Sequence, residues 1–215
     1  MQRVNIFILV LVIVVSCTSP NNKIDSIAVI NTNSSNQLES SDSFNTAQVP
    51  VYESVDKENV EDGSDYLKHM GYGIKIHKPF GWKKFPAQAE HTILKVGYKK
   101  YGAQVSLIRM HDLNANFTDS DLEYSVTSLL KDMSESGITL QNVIKQKTYY
   151  KGCLASKINA TYILYQGEQS LVEKYIVIQF VRDGILYTIS STYPEMLVQE
   201  VGYSIDKIIN SIEFD

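Results

Sequence analysis

Three histidines and two aspartates are the residues of this sequence whose chemistry could build a metal site. His77, His91 and His111 supply imidazole nitrogens, and Asp112 or Asp119 could add a carboxylate. Their spacings match no recurrent zinc pattern, and the segment at Asp119 lacks the glycine and the twelfth-position glutamate of a calcium loop. A metal or small-ligand site that uses His91, His111 and Asp112 is therefore an alternative to the leading prediction, which includes no cofactor.

Motifs for enzyme catalysis are missing from the sequence. It contains no His-Glu-x-x-His, no Gly-x-Ser-x-Gly, no phosphate-binding loop and no paired Cys-x-x-Cys. Cys153 is the only cysteine besides Cys17, so we expect a small packed side chain rather than a reactive thiol. The sequence predicts a protein that is not an enzyme and does not bind nucleic acid, and an enzyme of unrecognised chemistry remains a less favoured alternative.

The first seventeen residues indicate lipid modification. An uninterrupted apolar run over residues 6–15 would form a helix about 15 Å long, which is too short for a hydrocarbon core of about 30 Å. Arg3 precedes this run, as in a signal peptide, and residues 14–17 resemble the bacterial lipobox, in which the cysteine is acylated after cleavage before it. We expect a signal peptide at 1–16 and an acylated Cys17; an ordinary cleaved signal is the alternative. Thr18 follows the cysteine at the position where a signal for retention in the inner membrane would usually have aspartate. In a Gram-negative host we therefore expect the protein in the outer membrane.

The residues after Cys17 read as a polar tether. Residues 17–65 are rich in Ser, Asn, Asp and Glu, without a sustained apolar period, so they cannot offset the entropy cost of folding. Residues 18–65 contain nine acids and two lysines, whereas residues 66–215 contain seventeen bases and fifteen acids. This division predicts an acidic, disordered tether followed by one globular domain at 66–215.

The beginning of the predicted domain is strongly basic. Residues 66–100 contain eight lysines and a single acid, Glu90. These lysines could simply protect edge strands from aggregation, or they could form a face for anionic lipid or an acidic protein partner. Trp82 could plug the core or anchor a partner. The candidate binding face consists of Trp82, Lys83, Lys84, Tyr98, Lys99, Lys100 and Tyr101.

Hydrophobic periodicity predicts an α+β fold. Alternation indicates a strand at 72–77 and a hairpin over 94–110, and four further strands follow at 142–150, 155–165, 171–182 and 185–191. An amphipathic helix is capped at Thr118 or Ser120, and a second begins near Thr192 with Pro194 in its first turn. Short turns join the strands, so we expect a largely antiparallel sheet of about seven strands flanked by two main helices.

Several segments together resemble the PsbP-like superfamily. They are residues 71–85, the helix after Asp121, residues 150–158 with their Gly-x-x-Ala pattern, and the C-terminal residues 210–214. The superfamily includes extrinsic proteins of the oxygen-evolving complex and bacterial DcrB-like lipoproteins. The resemblance covers residues 66–215 and implies an α-β-α sandwich with a non-catalytic, partner-binding role. It implies no link to photosynthesis, since that role belongs to one branch.

These observations lead to one main functional hypothesis. We expect a lipid-anchored protein of the cell envelope, held by Cys17 and facing the periplasm or the exterior. Its domain would bind a protein partner or support a larger assembly, and anionic lipid is a second possible contact.

Overall fold

The computed structural model describes residues 59–87, 91–113, 115–166 and 169–215. These residues all belong to one compact unit. The predicted signal peptide, Cys17 and nearly all of the predicted tether lie outside the described residues.

The described chain forms eleven strands and two α-helices, with short 3₁₀ turns at Lys99–Tyr101 and Glu195–Leu197. In chain order the elements are β1 (Val60–Asp62), β2 (Tyr66–His69), β3 (Ile74–His77), β4 (Lys83–Lys84), β5 (Thr92–Tyr98), β6 (Ala103–Met110), α1 (Asp119–Glu135), β7 (Leu140–Tyr150), β8 (Cys153–Gln166), β9 (Gln169–Arg182), β10 (Ile185–Pro194), α2 (Val198–Asn210) and β11 (Glu213–Phe214).

The strands build two antiparallel sheets. The larger has seven strands in the order β4-β5-β6-β10-β9-β8-β7, and the smaller has four in the order β1-β2-β3-β11. Tight turns join most neighbours of the large sheet; for example, Asp183 and Gly184 both have positive φ and connect β9 to β10, as the sequence predicts. The α+β class, the antiparallel pairing and the two main helices are confirmed.

The main core lies between the large sheet and a layer made of α2 and the small sheet. Helix α2 contacts β3, β6 and β10 through an apolar stripe of Val201, Ile205, Ile208 and Ile209, all of which are buried. Phe180, on β9 of the large sheet, is completely buried in this core. These residues have the spacing of an amphipathic helix with one buried face.

Helix α1 packs on β8 and β9 at the opposite face of the large sheet. Thr118 caps it, since the Thr118 side chain accepts from the third-residue amide while the Asp121 carboxylate accepts from the Thr118 N–H at 2.7 Å. This capping box fixes the start of the helix within the two residues that the sequence offered. The sandwich therefore has helices on both faces.

Two predicted boundaries differ from the structure. Strand β1 at Val60–Asp62 lies inside the segment 17–65 that composition assigned to the tether. Strand β2 begins at Tyr66, directly after that segment. Helix α2 begins at Val198 rather than near Thr192, because β10 continues to Pro194 in register with Glu173 of β9. Proline suits a strand end as well as a first helical turn, so Pro194 alone could not distinguish the two.

Candidate functional site

A basic-aromatic surface lies at the β4 end of the large sheet. We use this name for Phe80, Lys83, Lys84, Lys99 and Lys100, all of which are exposed. Strand β4 pairs with β5 so that Lys83 faces Gly97 and Lys84 faces Val96. Lys99 and Lys100 lie in the 3₁₀ turn that directly follows β5. Four of the sequence-predicted lysines are thus placed along one edge of one sheet.

The turn before β4 presents Phe80 to solvent. The Trp82 N–H donates to the Pro79 carbonyl oxygen at 3.0 Å, which closes a four-residue turn with Phe80 and Gly81 at its centre. Gly81 has a φ of 87°, a conformation that favours glycine, and an added Cβ would lie 2.9 Å from Cζ of Tyr98. The turn is therefore seated closely on the Tyr98 ring, and the Phe80 side chain is fully exposed.

An aromatic cluster supports this turn from below. The rings of Trp82 and Tyr98 are 6.1 Å apart, and those of Tyr98 and Tyr101 are 4.8 Å apart in an edge-to-face arrangement. Tyr98 and Tyr101 are half-buried and pack against the main core. Lys100 Nζ lies 5.0 Å from the centre of the Tyr101 ring, a cation–π distance. The exposed lysines therefore sit on a rigid apolar base.

The assignment of Trp82 to the binding face is corrected by the structure. Its side chain is only 4% exposed and belongs to the main core. Of the two interpretations of this residue, the core plug is the one that the structure shows. Phe80, two positions earlier, takes the exposed place that the alternative reading gave to Trp82. Gly81 was the available signal for the turn, because the third position of such a turn needs a positive φ, but it does not indicate which aromatic side chain faces solvent.

The lysines of this region differ in their partners. Lys78 forms an ion pair with Asp62, and Lys68 pairs with Asp215 at 2.7 Å. The four lysines of the basic-aromatic surface have no ion pair within 4.0 Å among the residues that the structure describes. Their charge is therefore directed to solvent, where it favours an anionic surface.

The candidate metal ligands do not converge in the described part of the chain. His91 is buried just before β5 with a φ of 63°, and its carbonyl oxygen accepts from the Arg109 N–H at 2.9 Å. Asp112 is buried and His111 is half-buried after β6, whereas His77 lies on β3 of the small sheet. Among the described residues, no group of three His, Cys, Asp or Glu side chains could hold a metal ion.

Cys153 begins β8 and is half-buried against the main core. It forms no disulfide among the described residues. This position agrees with a packing role for its thiol.

A small cavity lies behind β4. It has a volume of about 110 Å³ and is lined mainly by apolar side chains together with Lys84 and Lys95. Ligand pockets usually have volumes of about 300–1,000 Å³, so this cavity is too small for a typical organic ligand. Burial lowers the pKa of Lys95, whose side chain borders the cavity.

The structure defines an α+β sandwich that carries a basic, aromatic-tipped edge. Neither helix of the described residues combines the length and the apolar character needed to cross a bilayer. The sequence matches no family model, and no curated protein matches it.

Comparison with solved structures gives several similar folds. The cyanobacterial PsbP of Synechocystis sp. PCC 6803 is 14% identical, with a TM-score of 0.48, and the match covers 73% of this chain and 93% of that one. LpqN, involved in cell envelope biogenesis of Mycobacterium tuberculosis, is 8% identical, with a TM-score of 0.43 and coverage of 72% and 91%. A Bacteroides thetaiotaomicron protein is 11% identical, with a TM-score of 0.40 and coverage of 66% and 45%. A PsbP is among these structural neighbours.

Proposed function

We propose that this chain is a membrane-anchored envelope lipoprotein whose domain binds an acidic protein partner, without catalysis, through the basic-aromatic surface. The observation that carries the proposal is the fully exposed Phe80 on a turn held against Tyr98, beside four lysines without described ion-pair partners. The anchor is the acylated Cys17 expected from the sequence.

The chemistry of this surface suits a protein interface. Interface hot spots are large side chains, often aromatic, that enter a pocket of the partner and are surrounded by groups that exclude water. Phe80 offers such an anchor, and its rigid turn reduces the ordering cost on binding. The surrounding lysines would steer an acidic partner toward the site and accelerate association at low salt.

The tether gives the proposal a spatial logic. If the residues between Cys17 and β1 form the tether that their composition predicts, about forty residues of flexible chain have a root-mean-square reach of about 30–40 Å. A domain held within that distance of a membrane has a high effective concentration at neighbouring complexes. Weak contacts through the basic-aromatic surface would therefore suffice to hold a partner in place.

Crosslinked capture from native membranes with the intact, acylated protein tests this function. We expect an acidic protein to be recovered with the acylated chain of native sequence. Its yield should fall at least about tenfold with Phe80→Ala and with combined charge reversal of Lys83, Lys84, Lys99 and Lys100. Tyr203→Ala and Lys131→Glu are matched controls, because both residues are exposed on the helices away from this surface. Equal recovery with all variants would refute the assignment of the surface.

Two further measurements separate the parts of the proposal. Mass spectrometry of the mature amino terminus should show a diacylated or triacylated Cys17; an unmodified cysteine removes the anchor but leaves the surface untouched. Sedimentation with vesicles that contain anionic lipid tests the other occupant. Salt-sensitive vesicle binding that the charge reversal abolishes, without any captured protein, would assign the surface to lipid instead.

A further inference from the structure

The opposite edge of the large sheet has no partner strand among the described residues. The sheet order ends with β7, whose eleven residues pair with β8 and with no other described strand. Eight of the eleven residues of β7 are exposed, including Ile144 at 60% and Tyr149 at 76%. An edge of this kind presents unpaired backbone groups that another strand can bind.

The turn that follows β7 shows which backbone groups point outward. Lys151 and Gly152 have φ values of 49° and 83°, and they form a two-residue hairpin turn between the paired Tyr150 and Cys153. The residues that flank such a turn form a hydrogen-bonded pair, and bonded and non-bonded pairs alternate from there. Thr148 and Gln146 are therefore bonded to β8 in the same way as Tyr150.

The intervening residues direct their backbone away from β8. These are Tyr149, Lys147 and Lys145, whose N–H and C=O groups pair with no described strand. The register is continuous from Tyr150 back to Ile144 and shifts at the bulge between Gln141 and Ile144. Up to six ladder hydrogen bonds are available within this regular part, enough for an added strand of about six to eight residues.

The charge of this edge selects the kind of strand. Strands β7 and β8 and their turn contain four lysines and no acid between residues 140 and 166. Lys145 pairs with Glu123 of α1 at 2.5 Å, whereas Lys147 has no ion pair within 4.0 Å among the described residues. Opposite charges on facing residues stabilise a strand pair and like charges weaken it. An acidic side chain opposite Lys147 would therefore be favoured.

The same lysines disfavour a second copy of this chain. Antiparallel pairing of two β7 edges would bring the Lys145 and Lys147 region of one copy against that of the other. Lysines and bulges are the usual means by which proteins prevent such self-association. The lysines that disfavour pairing with a basic strand therefore favour pairing with an acidic one.

We propose that the outer edge of β7 binds an extended segment of a protein partner in which acidic residues alternate with apolar ones. The acidic side chains lie on the face of Lys145 and Lys147, and an apolar side chain packs beside Ile144 on the other face. The partner joins the large sheet as an eighth strand, which is β-strand addition. This edge is separate from the basic-aromatic surface, so the proposal does not depend on that surface.

Binding of a labelled eight-residue peptide of alternating Glu and Val to the intact chain tests the inference. We expect salt-sensitive binding that is about three- to tenfold weaker in the Lys147→Glu variant, since a favourable pair becomes unfavourable. Lys131→Glu, on the exposed side of α1, should not change the affinity. A peptide of alternating Lys and Val should bind far more weakly.

Backbone controls distinguish strand addition from simple charge attraction. Methylation of alternate peptide nitrogens keeps the charge but removes the ladder donors, so it should abolish binding. On the chain, Tyr149→Pro removes an outward N–H and should weaken binding more than Tyr149→Ala does. Equal binding of the methylated peptide, or equal effects of the two Tyr149 variants, would overturn the proposal.

Hydrogen exchange locates the bound strand. On peptide addition, the amides of Lys145, Lys147 and Tyr149 should gain protection, while those of Gln146 and Thr148 change little because they are already bonded to β8. Protection at the basic-aromatic surface instead, or a β7-dependent dimer of the chain itself in sedimentation, would contradict the assignment.

Discussion

The hydroxyl group of Tyr150 donates a hydrogen bond to the carbonyl oxygen of Ile209, with 2.5 Å between the two oxygens. Tyr150 is the last residue of β7, and Ile209 lies in the last turn of α2. Burial raises the pKa of Tyr150, so its hydroxyl stays protonated and keeps its role as donor. This bond fastens the end of the edge strand to the helix that covers the main core.

Removal of this hydroxyl should lower the stability of the fold. Tyr150→Phe keeps the ring in its contact with Phe180, at 5.0 Å between ring centres, but loses the bond to Ile209. We expect a loss of about 1 kcal/mol in the free energy of unfolding, measured by urea denaturation. Tyr149→Phe is the control, because the Tyr149 side chain is largely exposed; equal losses in both variants would contradict a role for the bond.

A buried carboxyl group should make stability depend on pH. Burial raises the pKa of Glu173 from 4.5 to about 7. The folded protein then keeps a proton that the unfolded chain releases, so this stability is complete below about pH 4.5 and is lost as the pH rises toward 7. The slope should reach at most about 1.4 kcal/mol per pH unit.

Denaturation at several pH values checks the role of Glu173. The Glu173→Gln variant should flatten the dependence between pH 4.5 and 7, the window set by the shifted pKa. Glu200→Gln changes an exposed carboxyl on α2 and should leave the slope as it is. A slope that survives in Glu173→Gln would assign the dependence to another group.

The turn that presents Phe80 should tolerate no side chain at Gly81. In Gly81→Ala the residue must adopt a φ of 87° and its Cβ would meet the Tyr98 ring at 2.9 Å. The positive φ costs about 1–2 kcal/mol, and the close contact adds about 1–3 kcal/mol. Gly102→Ala has a φ of 65° with no atom within 4 Å of the added Cβ, so it should show the conformational cost alone. Thermal unfolding of the two variants gives the comparison.

Truncation of two phenylalanines should change the stability of the fold to very different extents. Phe180 is completely buried against Tyr150, Tyr187 and Phe214, so Phe180→Ala should cost about 3–5 kcal/mol. Phe80 is fully exposed, and Phe80→Ala should change stability by less than about 0.5 kcal/mol. A large loss in Phe80→Ala, read by the same denaturation curves, would show that its effect on partner capture arises from unfolding.

Several elements could be predicted from local signals, namely a regular spacing of buried residues or a characteristic turn sequence. The α2 stripe from Val201 to Ile209 and the Asp183-Gly184 turn are local signals, and the structure shows both. The small sheet could not be predicted, since β1 and β11 have only three and two residues and β11 pairs with β3, which is far away in the sequence. Such short strands carry no periodic signal of their own.

The lysines of the basic-aromatic surface could be located from the sequence, whereas its exposed aromatic residue could not. The cluster of lysines at 83–84 and 99–100 was visible as a bias in composition, and the β4–β5 pairing places it along one edge. Whether Phe80 or Trp82 faces solvent depends on the seating of Gly81 on Tyr98, a contact across seventeen residues of sequence. No local pattern reports a contact of that kind.

The position of β1 at the rim of the small sheet has a mechanical consequence. Any pull on the chain upstream of Asn59 acts first on the hydrogen bond from the Met70 N–H to the Asn59 carbonyl oxygen, and then on the three residue pairs that join β1 to β2, from Val60–His69 to Asp62–Leu67. These pairs can separate one after another before the force reaches the seven-stranded sheet. Detachment of β1 would then lengthen the chain under tension while the rest of the fold stays intact.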